Sequence, residues 1–127
     1  MRKSYLLLLA VLVLVTAACS SSDASEQIEG MWQDSTYGVY LEIGDDGQYE
    51  VSVGEAMTHP FEWGDYTFDG ETLTTNTASD SQICPDTSVT WTVVFSDDGD
   101  QADLTFVEDS CVGSPRSTDL VWIRQSS

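Results

Sequence analysis

The chain offers few side chains for catalysis, and none of them falls in a known catalytic spacing. His59 is its only histidine and stands before Pro60, in a setting typical of a turn or a strand edge. The sequence has no Gly-x-Ser-x-Gly turn, paired histidines, glycine-rich phosphate loop or Cys-x-x-Cys pair. These motifs are typical of hydrolases, of metal sites and of phosphate-binding sites. We therefore predict no catalytic residue, metal ligand or cofactor. The 22 acidic residues leave one enzymatic alternative open, a pair of carboxylates of the glycosidase type.

One acidic stretch, Asp97-Asp98-Gly99-Asp100 with Asp103, offers the oxygen ligands that calcium prefers. An EF-hand loop needs acids at alternate positions before its glycine and a glutamate further on, and the spacing here differs. Asp and Gly residues are typical of tight turns between strands. We interpret the stretch as a hairpin turn, with weak binding of a divalent cation as the alternative.

Residues 1–18 have the layout of a secretory signal peptide. Arg2 and Lys3 provide a positive start, and an unbroken apolar run extends from Leu6 to Val15. A membrane-spanning helix needs about 20 apolar residues, whereas 5–18 supplies fourteen, one of them a threonine. We predict an export signal, and a membrane span is the alternative.

The end of this leader, Thr16-Ala17-Ala18-Cys19, resembles the lipobox of bacterial lipoproteins. The resemblance implies that the Cys19 thiol receives a diacylglycerol and that Cys19 becomes the first residue of the mature chain. Two or more acyl chains, such as palmitate, hold a protein durably at a membrane, since each buried methylene contributes about 0.8 kcal/mol. We expect a lipid-anchored, extracytoplasmic protein of the bacterial cell envelope, with a flexible polar tether over 19–29. Ordinary cleavage, leaving Cys19 as a free thiol, is the alternative.

If Cys19 carries lipid, the other two cysteines, Cys84 and Cys111, remain as a pair. Disulfides are permitted outside the cytoplasm, and this one would stabilise the fold by about 3–4 kcal/mol on the chain-entropy model. Neither cysteine has a second cysteine or a histidine nearby, which disfavours a metal site. We predict a disulfide, with free thiols as the alternative.

The formal net charge of the chain is −18, and all 22 acids follow Cys19. Only two of the four basic residues, Arg116 and Arg124, lie beyond the leader. The negative electrostatic field of these carboxylates repels phosphate, so we predict no nucleic-acid binding. It also repels an anionic membrane surface, which keeps the body of the protein in solution. We interpret the acidity as a solubility feature of a monomer; binding of cations or of a basic partner is the alternative.

Residues 30–125 show the period-two alternation of β-strands and no useful helical period. Turns rich in Asp and Gly, such as Asp69-Gly70, separate the runs. Eight or nine short strands in an up-and-down meander must curl onto themselves, because no amphipathic helix is predicted to cover their apolar face. We predict one all-β domain, a small antiparallel up-and-down barrel. The runs are Val39–Ile43, Tyr49–Val53, Asp65–Asp69, Val89–Ser96, Asp103–Phe106 and Leu120–Arg124, with Trp32 and Phe61–Trp63 marking further strands.

Gly30-Met31-Trp32, at the first strand, resembles the Gly-x-Trp signature of lipocalins. In that fold an arginine near the end of the last strand lies over the tryptophan, and Arg124 matches it by position and type. The stretches YLEIGDDGQYEVS and GDYTFDGETLTT are similar to small lipocalin-like bacterial lipoproteins. The resemblance covers most of 29–124 and implies a lipocalin-like barrel. Gly30, Trp32 and Arg124 are its structural signature and would plug the closed end, where a cation–π contact contributes about 1 kcal/mol.

Large rings dominate the inward side of the predicted barrel. Eight of them either fill a small barrel or line a cavity for one small ligand. Our leading hypothesis is non-covalent binding of a small apolar ligand by Tyr49, Tyr66, Phe68, Trp91 and Phe106. The alternative is a filled barrel that serves as a protein-interaction module of the cell envelope. The eight rings are Trp32, Tyr49, Tyr66, Phe68, Trp91, Phe95, Phe106 and Trp122.

Overall fold

The computed structural model describes residues 21–111 and 113–126. The predicted leader 1–18 and the predicted lipidation site Cys19 lie outside the described residues. None of the helices within 21–111 and 113–126 combines the length and the hydropathy that a bilayer span requires. The elements are α1 (Ser21–Ile28), β1 (Gly30–Asp34), β2 (Tyr40–Ile43), β3 (Gln48–Ser52), β4 (Pro60–Phe68), β5 (Thr72–Thr77), β6 (Ser88–Phe95), β7 (Gln101–Asp109) and β8 (Leu120–Arg124).

The eight strands form a closed barrel in which each strand pairs antiparallel with the next. Pairing of β1 with β8 closes the sheet, with Trp32 opposite Arg124. Closure leaves no sheet edge exposed. The prediction of a small all-β, up-and-down barrel is confirmed. The eight strands include β4, which joins the predicted run 61–63 and most of the predicted run 65–69 into one strand, and β5, which follows the predicted Asp69-Gly70 turn.

The N-terminal segment differs from the flexible tether predicted over 19–29. Ser21–Ile28 forms α1, and the Ile28 side chain is fully buried in the core. The Trp32 Nε1–H donates a 2.8 Å hydrogen bond to the Ile28 carbonyl oxygen. A polar segment with one large apolar residue therefore docks against the barrel, because that residue fills a space beside the first strand.

Arg124 and Trp32 plug the end of the barrel next to α1, which we call the closed end. The Arg124 guanidinium carbon lies 4.1 Å from the Trp32 ring centroid, the contact that the Gly-x-Trp resemblance predicted. The same guanidinium donates hydrogen bonds to the carbonyl oxygens of Gly99, Glu29 and Gln27. The cation thus caps the carbonyls at the end of α1 and ties them to the β6–β7 turn.

The closed end leaves no space for a side chain at Gly30. Its φ is +118°, a region that L side chains rarely adopt, and a Cβ would lie 3.0 Å from Arg124 Nη1. Below the plug, the Trp32 ring lies 6.2 Å from the Phe95 ring and 6.2 Å from the Trp122 ring. Phe68 meets Phe95 edge to face at 5.9 Å. These contacts make the closed half of the barrel a packed aromatic core.

Substitution of Gly64 tests the β4–β5 pairing. Gly64 lies opposite Thr77, and a Cβ there would overlap the Asn76 carbonyl oxygen. We expect Gly64→Ala to lower the free energy of unfolding by about 3 kcal/mol, because backbone must shift to admit the methyl group. Urea denaturation followed by circular dichroism measures the change.

Gly54 provides the matched control, since a Cβ there meets nothing within 4 Å. Gly54→Ala should change the free energy of unfolding by less than about 0.5 kcal/mol. Equal unfolding midpoints for the two alanine variants would contradict the close β4–β5 approach at Gly64.

Candidate functional site

The end of the barrel opposite the plug holds an apolar cavity of about 260 Å³, which we call the mouth cavity. Strand alternation positions its walls, since Leu41 on β2 and Val51 on β3 face each other across the pairing. The polar groups that reach it are few. It is lined by Asp34, Tyr37, Val39, Leu41, Val51, Phe61, Glu62, Ile83, Trp91, Ser114, Pro115, Arg116, Leu120 and Trp122.

Of the five residues predicted to bind ligand, Trp91 lines the mouth cavity and the other four do not. Tyr66 and Phe68 belong to the packed core: the Tyr66 hydroxyl donates a 2.6 Å hydrogen bond to the Gly44 carbonyl, and Phe68 packs on Phe95. The difference between the predicted and the observed lining residues has a simple cause. Alternation identifies the inward face of a strand, but it does not give the height of a residue along the barrel axis.

Tyr49 and Phe106 also have other roles. The Tyr49 side chain is buried, and its hydroxyl donates a 3.0 Å hydrogen bond to Glu62 Oε2. Burial and the nearby Glu62 charge raise the pKa of Tyr49, so it stays a hydrogen-bond donor at all ordinary pH values. Phe106 is half-buried against the core, opposite Trp91 where β6 and β7 shift register.

The prediction missed the aliphatic walls and the rim of the mouth cavity. Leu41, Val51 and Leu120 occupy inward positions, but the predicted ligand contacts are all aromatic. The rim comes from connecting loops, which have no periodic signal. There the Tyr37 hydroxyl donates a 2.9 Å hydrogen bond to the Pro115 carbonyl, joining the β1–β2 turn to the β7–β8 loop.

A buried ion cluster, Glu62–Arg116–Asp109, forms the polar side of the mouth cavity. The side chains of Arg116 and Glu62 are each 10% exposed, and that of Asp109 is 1% exposed. Arg116 Nε and Nη1 lie 3.0 Å from Asp109 Oδ2 and Glu62 Oε1, respectively. The guanidinium further donates to Asp109 Oδ1 and to the hydroxyls of Thr77 and Thr87. These bonds use all five donors of the guanidinium, so Arg116 has none left for a ligand.

The pKa values of the two carboxyl groups in the ion cluster shift in opposite directions. Burial raises the pKa of Glu62, although Arg116 and the Tyr49 hydroxyl partly counter the effect. Burial also acts on Asp109, but hydrogen bonds from Arg116, the Cys111 N–H and the Ser117 hydroxyl outweigh it and lower the pKa of Asp109. Asp109 is therefore the firmly ionised partner, and it holds the pKa of Arg116 above its ordinary value.

The predicted disulfide between Cys84 and Cys111 is confirmed, with the two Cα atoms 5.7 Å apart. It joins the β5–β6 loop to the end of β7. The ion cluster reaches the same two segments: the Thr87 hydroxyl donates to the Cys84 carbonyl, and the Cys111 N–H donates to Asp109. The bridge and the ion cluster therefore hold one side of the mouth together.

The other candidate sites have ordinary structural roles. Gly99 lies in the β6–β7 hairpin turn, where Asp98 Oδ1 accepts hydrogen bonds from the Ser96 hydroxyl and the Asp100 N–H. His59 is exposed, and its carbonyl accepts a hydrogen bond from Ser52. Within 21–111 and 113–126, no three His, Cys, Asp or Glu side chains are grouped so that they could hold a metal ion.

A second concavity, of about 590 Å³, lies on the outside of the barrel across β2–β5 and is called the outer groove. It is polar and open. The Trp63 ring borders it and donates from Nε1 to Asp80 Oδ1 at 2.8 Å, while Asn76 donates to Asp65. Glu42, Glu50 and Asp86 also line the outer groove. Its chemistry suits a cationic surface better than an apolar molecule.

The opposite pKa shifts predict opposite pH dependences for two amide variants. Because the folded state raises the pKa of Glu62, wild type loses stability relative to Glu62→Gln as pH rises from the ordinary value of 4.5 through the raised pKa. Because the folded state lowers the pKa of Asp109, the advantage of wild type over Asp109→Asn is full above the ordinary value of 3.8 and declines as pH falls below it. Urea unfolding from pH 3 to 7 measures both; parallel curves for all three proteins would contradict the ion cluster.

The geometry defines a plugged barrel with one apolar opening, and comparison with known proteins adds no relative. No family model, no curated protein and no solved structure matches this chain.

Proposed function

We propose that this protein is a lipid-anchored, extracytoplasmic, lipocalin-like barrel that binds one small apolar ligand non-covalently. The observation that carries the proposal is the mouth cavity, an apolar space at the unplugged end of an otherwise packed barrel. Affinity would come from burying ligand surface against Leu41, Val51, Leu120 and the faces of Trp91 and Trp122, at about 25 cal/mol per Å².

The cavity volume limits the ligand. Pockets for drug-sized molecules have volumes of about 300–1,000 Å³, whereas a cavity of about 150 Å³ holds benzene. The mouth cavity, at about 260 Å³, therefore suits a molecule of one or two rings or a short acyl segment. A long fatty acid would have to extend past Tyr37 and Ile83 into solvent.

Blocking the mouth cavity tests ligand binding. Val39 lines the cavity and is half-buried, so Val39→Phe should fill part of the space with little effect on folding. We expect it to weaken binding of toluene, measured by calorimetry, and of the two-ring fluorophore naphthalene, measured by its emission, by about tenfold.

Val94→Phe is the matched control, since Val94 is 69% exposed on the outside of β6. It should bind both probes as wild type does. Absence of binding of both probes to the wild-type protein would contradict the proposal, as would equal affinities for the two phenylalanine variants.

The anchoring part of the proposal is supported by the leader and by the position of α1. The chain enters the barrel at the closed end, where Ile28 is buried and Arg124 caps the helix carbonyls. A lipid on Cys19 would thus place the membrane nearer the closed end. The mouth cavity, at the opposite end, would open away from the bilayer.

Removal of the Cys19 thiol tests the anchor. When the full chain is expressed in a bacterium fed an alkyne-labelled palmitate, wild type should be labelled and found in the membrane fraction. Cys19→Ser should carry no label, because no thiol remains to receive the diacylglycerol.

The control for the anchor is the double variant Cys84→Ser/Cys111→Ser, which lacks the other two thiols and should keep the label. Label retained by Cys19→Ser would contradict lipidation at this residue. Label lost only from the double variant would contradict it as well.

The second candidate function is an interaction module of the cell envelope, and the outer groove favours it. Both described arginines are engaged in contacts with the chain itself, Arg116 in the ion cluster and Arg124 in the plug. The outer groove therefore presents carboxylates beside Trp63 without a cation. This module would recognise a basic protein surface, and its function would be unaffected by Val39→Phe.

A further inference from the structure

The Trp122 indole N–H lacks a hydrogen-bond acceptor in the described part of the chain. The other three tryptophans have one: Trp32 donates to the Ile28 carbonyl, Trp63 to Asp80 and Trp91 to the Thr118 carbonyl. The Trp122 side chain is 1% exposed, so bulk water does not replace the missing partner. A buried donor without an acceptor is costly and requires an explanation.

Trp122 is also part of the mouth cavity. Its ring lies 6.2 Å from Trp32 on the side of the packed core and lines the cavity together with Trp91 and Leu120. Among the residues that the structure describes, one other buried side-chain atom lacks a hydrogen-bond partner, the hydroxyl oxygen of Thr75, and Thr75 does not line the mouth cavity. The unpaired indole thus coincides with the proposed binding site.

We propose that the ligand is a neutral apolar molecule with one hydrogen-bond acceptor, a carbonyl or ether oxygen, that accepts from Trp122 Nε1. This inference rests on the proposed function and specifies the chemical class of the ligand. The apolar walls would hold the hydrocarbon part of the molecule. The single acceptor would fix its orientation, as a few placed polar groups do in most small-molecule sites.

The charges around the mouth cavity disfavour an anionic ligand. The carboxylates of Asp34 and Glu62 both line the mouth cavity, and the formal net charge of the chain is −18. The one cation in the lining, Arg116, already donates all five of its N–H groups. A ligand carboxylate would therefore meet repulsion without a free partner, so the class is neutral ketones, esters and ethers rather than fatty-acid anions.

Three ligands of nearly equal shape separate the effect of the hydrogen-bond acceptor from the effect of ligand charge: acetophenone, α-methylstyrene and benzoate. The first carries a carbonyl acceptor, the second replaces that oxygen with a methylene group, and the third replaces the methyl group with an anionic oxygen. Calorimetry on the wild-type protein should show acetophenone binding at least as tightly as the more hydrophobic α-methylstyrene. Benzoate should bind at least about tenfold more weakly than acetophenone.

Trp122→Phe keeps a ring in place and removes the donor. It should shift the ratio of the two neutral dissociation constants by about tenfold toward α-methylstyrene. Trp63→Phe is the control, because Trp63 lies outside the mouth cavity and its indole N–H already donates to Asp80, and the ratio should stay as in wild type. If Trp122→Phe does not fold, indole ¹⁵N–¹H spectra of wild type replace it: one of the four tryptophan signals should move downfield with acetophenone and not with α-methylstyrene.

The outcomes separate the two proposals. If neither neutral ligand binds, the proposed function fails and the inference fails with it. If both bind with the same preference for α-methylstyrene in wild type and Trp122→Phe, or if no indole signal responds selectively to acetophenone, the cavity function stands and the acceptor inference is overturned. Benzoate binding as tightly as acetophenone would overturn the neutral ligand class.

Discussion

The ion cluster Glu62–Arg116–Asp109 is the interaction on which the open end of the barrel depends. A cation with five satisfied donors connects β4, β5 and β7 to both long loops, and loss of one partner would leave an uncompensated charge in the interior. Breaking such a buried pair typically costs about 3–5 kcal/mol. The cluster therefore shapes the mouth, and its saturation prevents Arg116 from acting as a receptor for anions.

The two ends of the barrel use their arginines differently, and this difference divides the interior. Arg124 covers Trp32 at the closed end and binds backbone carbonyls, and the rings of Phe95 and Trp122 pack against Trp32 beneath it. Arg116 lies at the side of the other end and leaves aliphatic walls facing a cavity. Aromatic rings therefore fill the closed half of the barrel, whereas Trp91 and Trp122 line the mouth cavity in the other half.

The sequence predicted the barrel, the disulfide and the Arg124–Trp32 contact, because alternation, cysteine number and a short signature each report a local constraint. It did not predict α1, since a single buried residue, Ile28, gives no periodic pattern. It also did not predict the ion cluster. Glu62 occupies an inward position of β4 and Arg116 lies in a loop, and 54 residues separate them, so only the folded chain reveals that each neutralises the other.

The proposed function requires a small apolar molecule to enter the mouth cavity. Intermolecular nuclear Overhauser effects between unlabelled toluene and the ¹³C-labelled methyl groups of the wild-type protein report whether it does. We expect contacts to Leu41, Val51 and Leu120 and none to Ile28 at the closed end. Contacts confined to the exposed outer residues Val94 and Val107, or no contacts at toluene saturation, would contradict it.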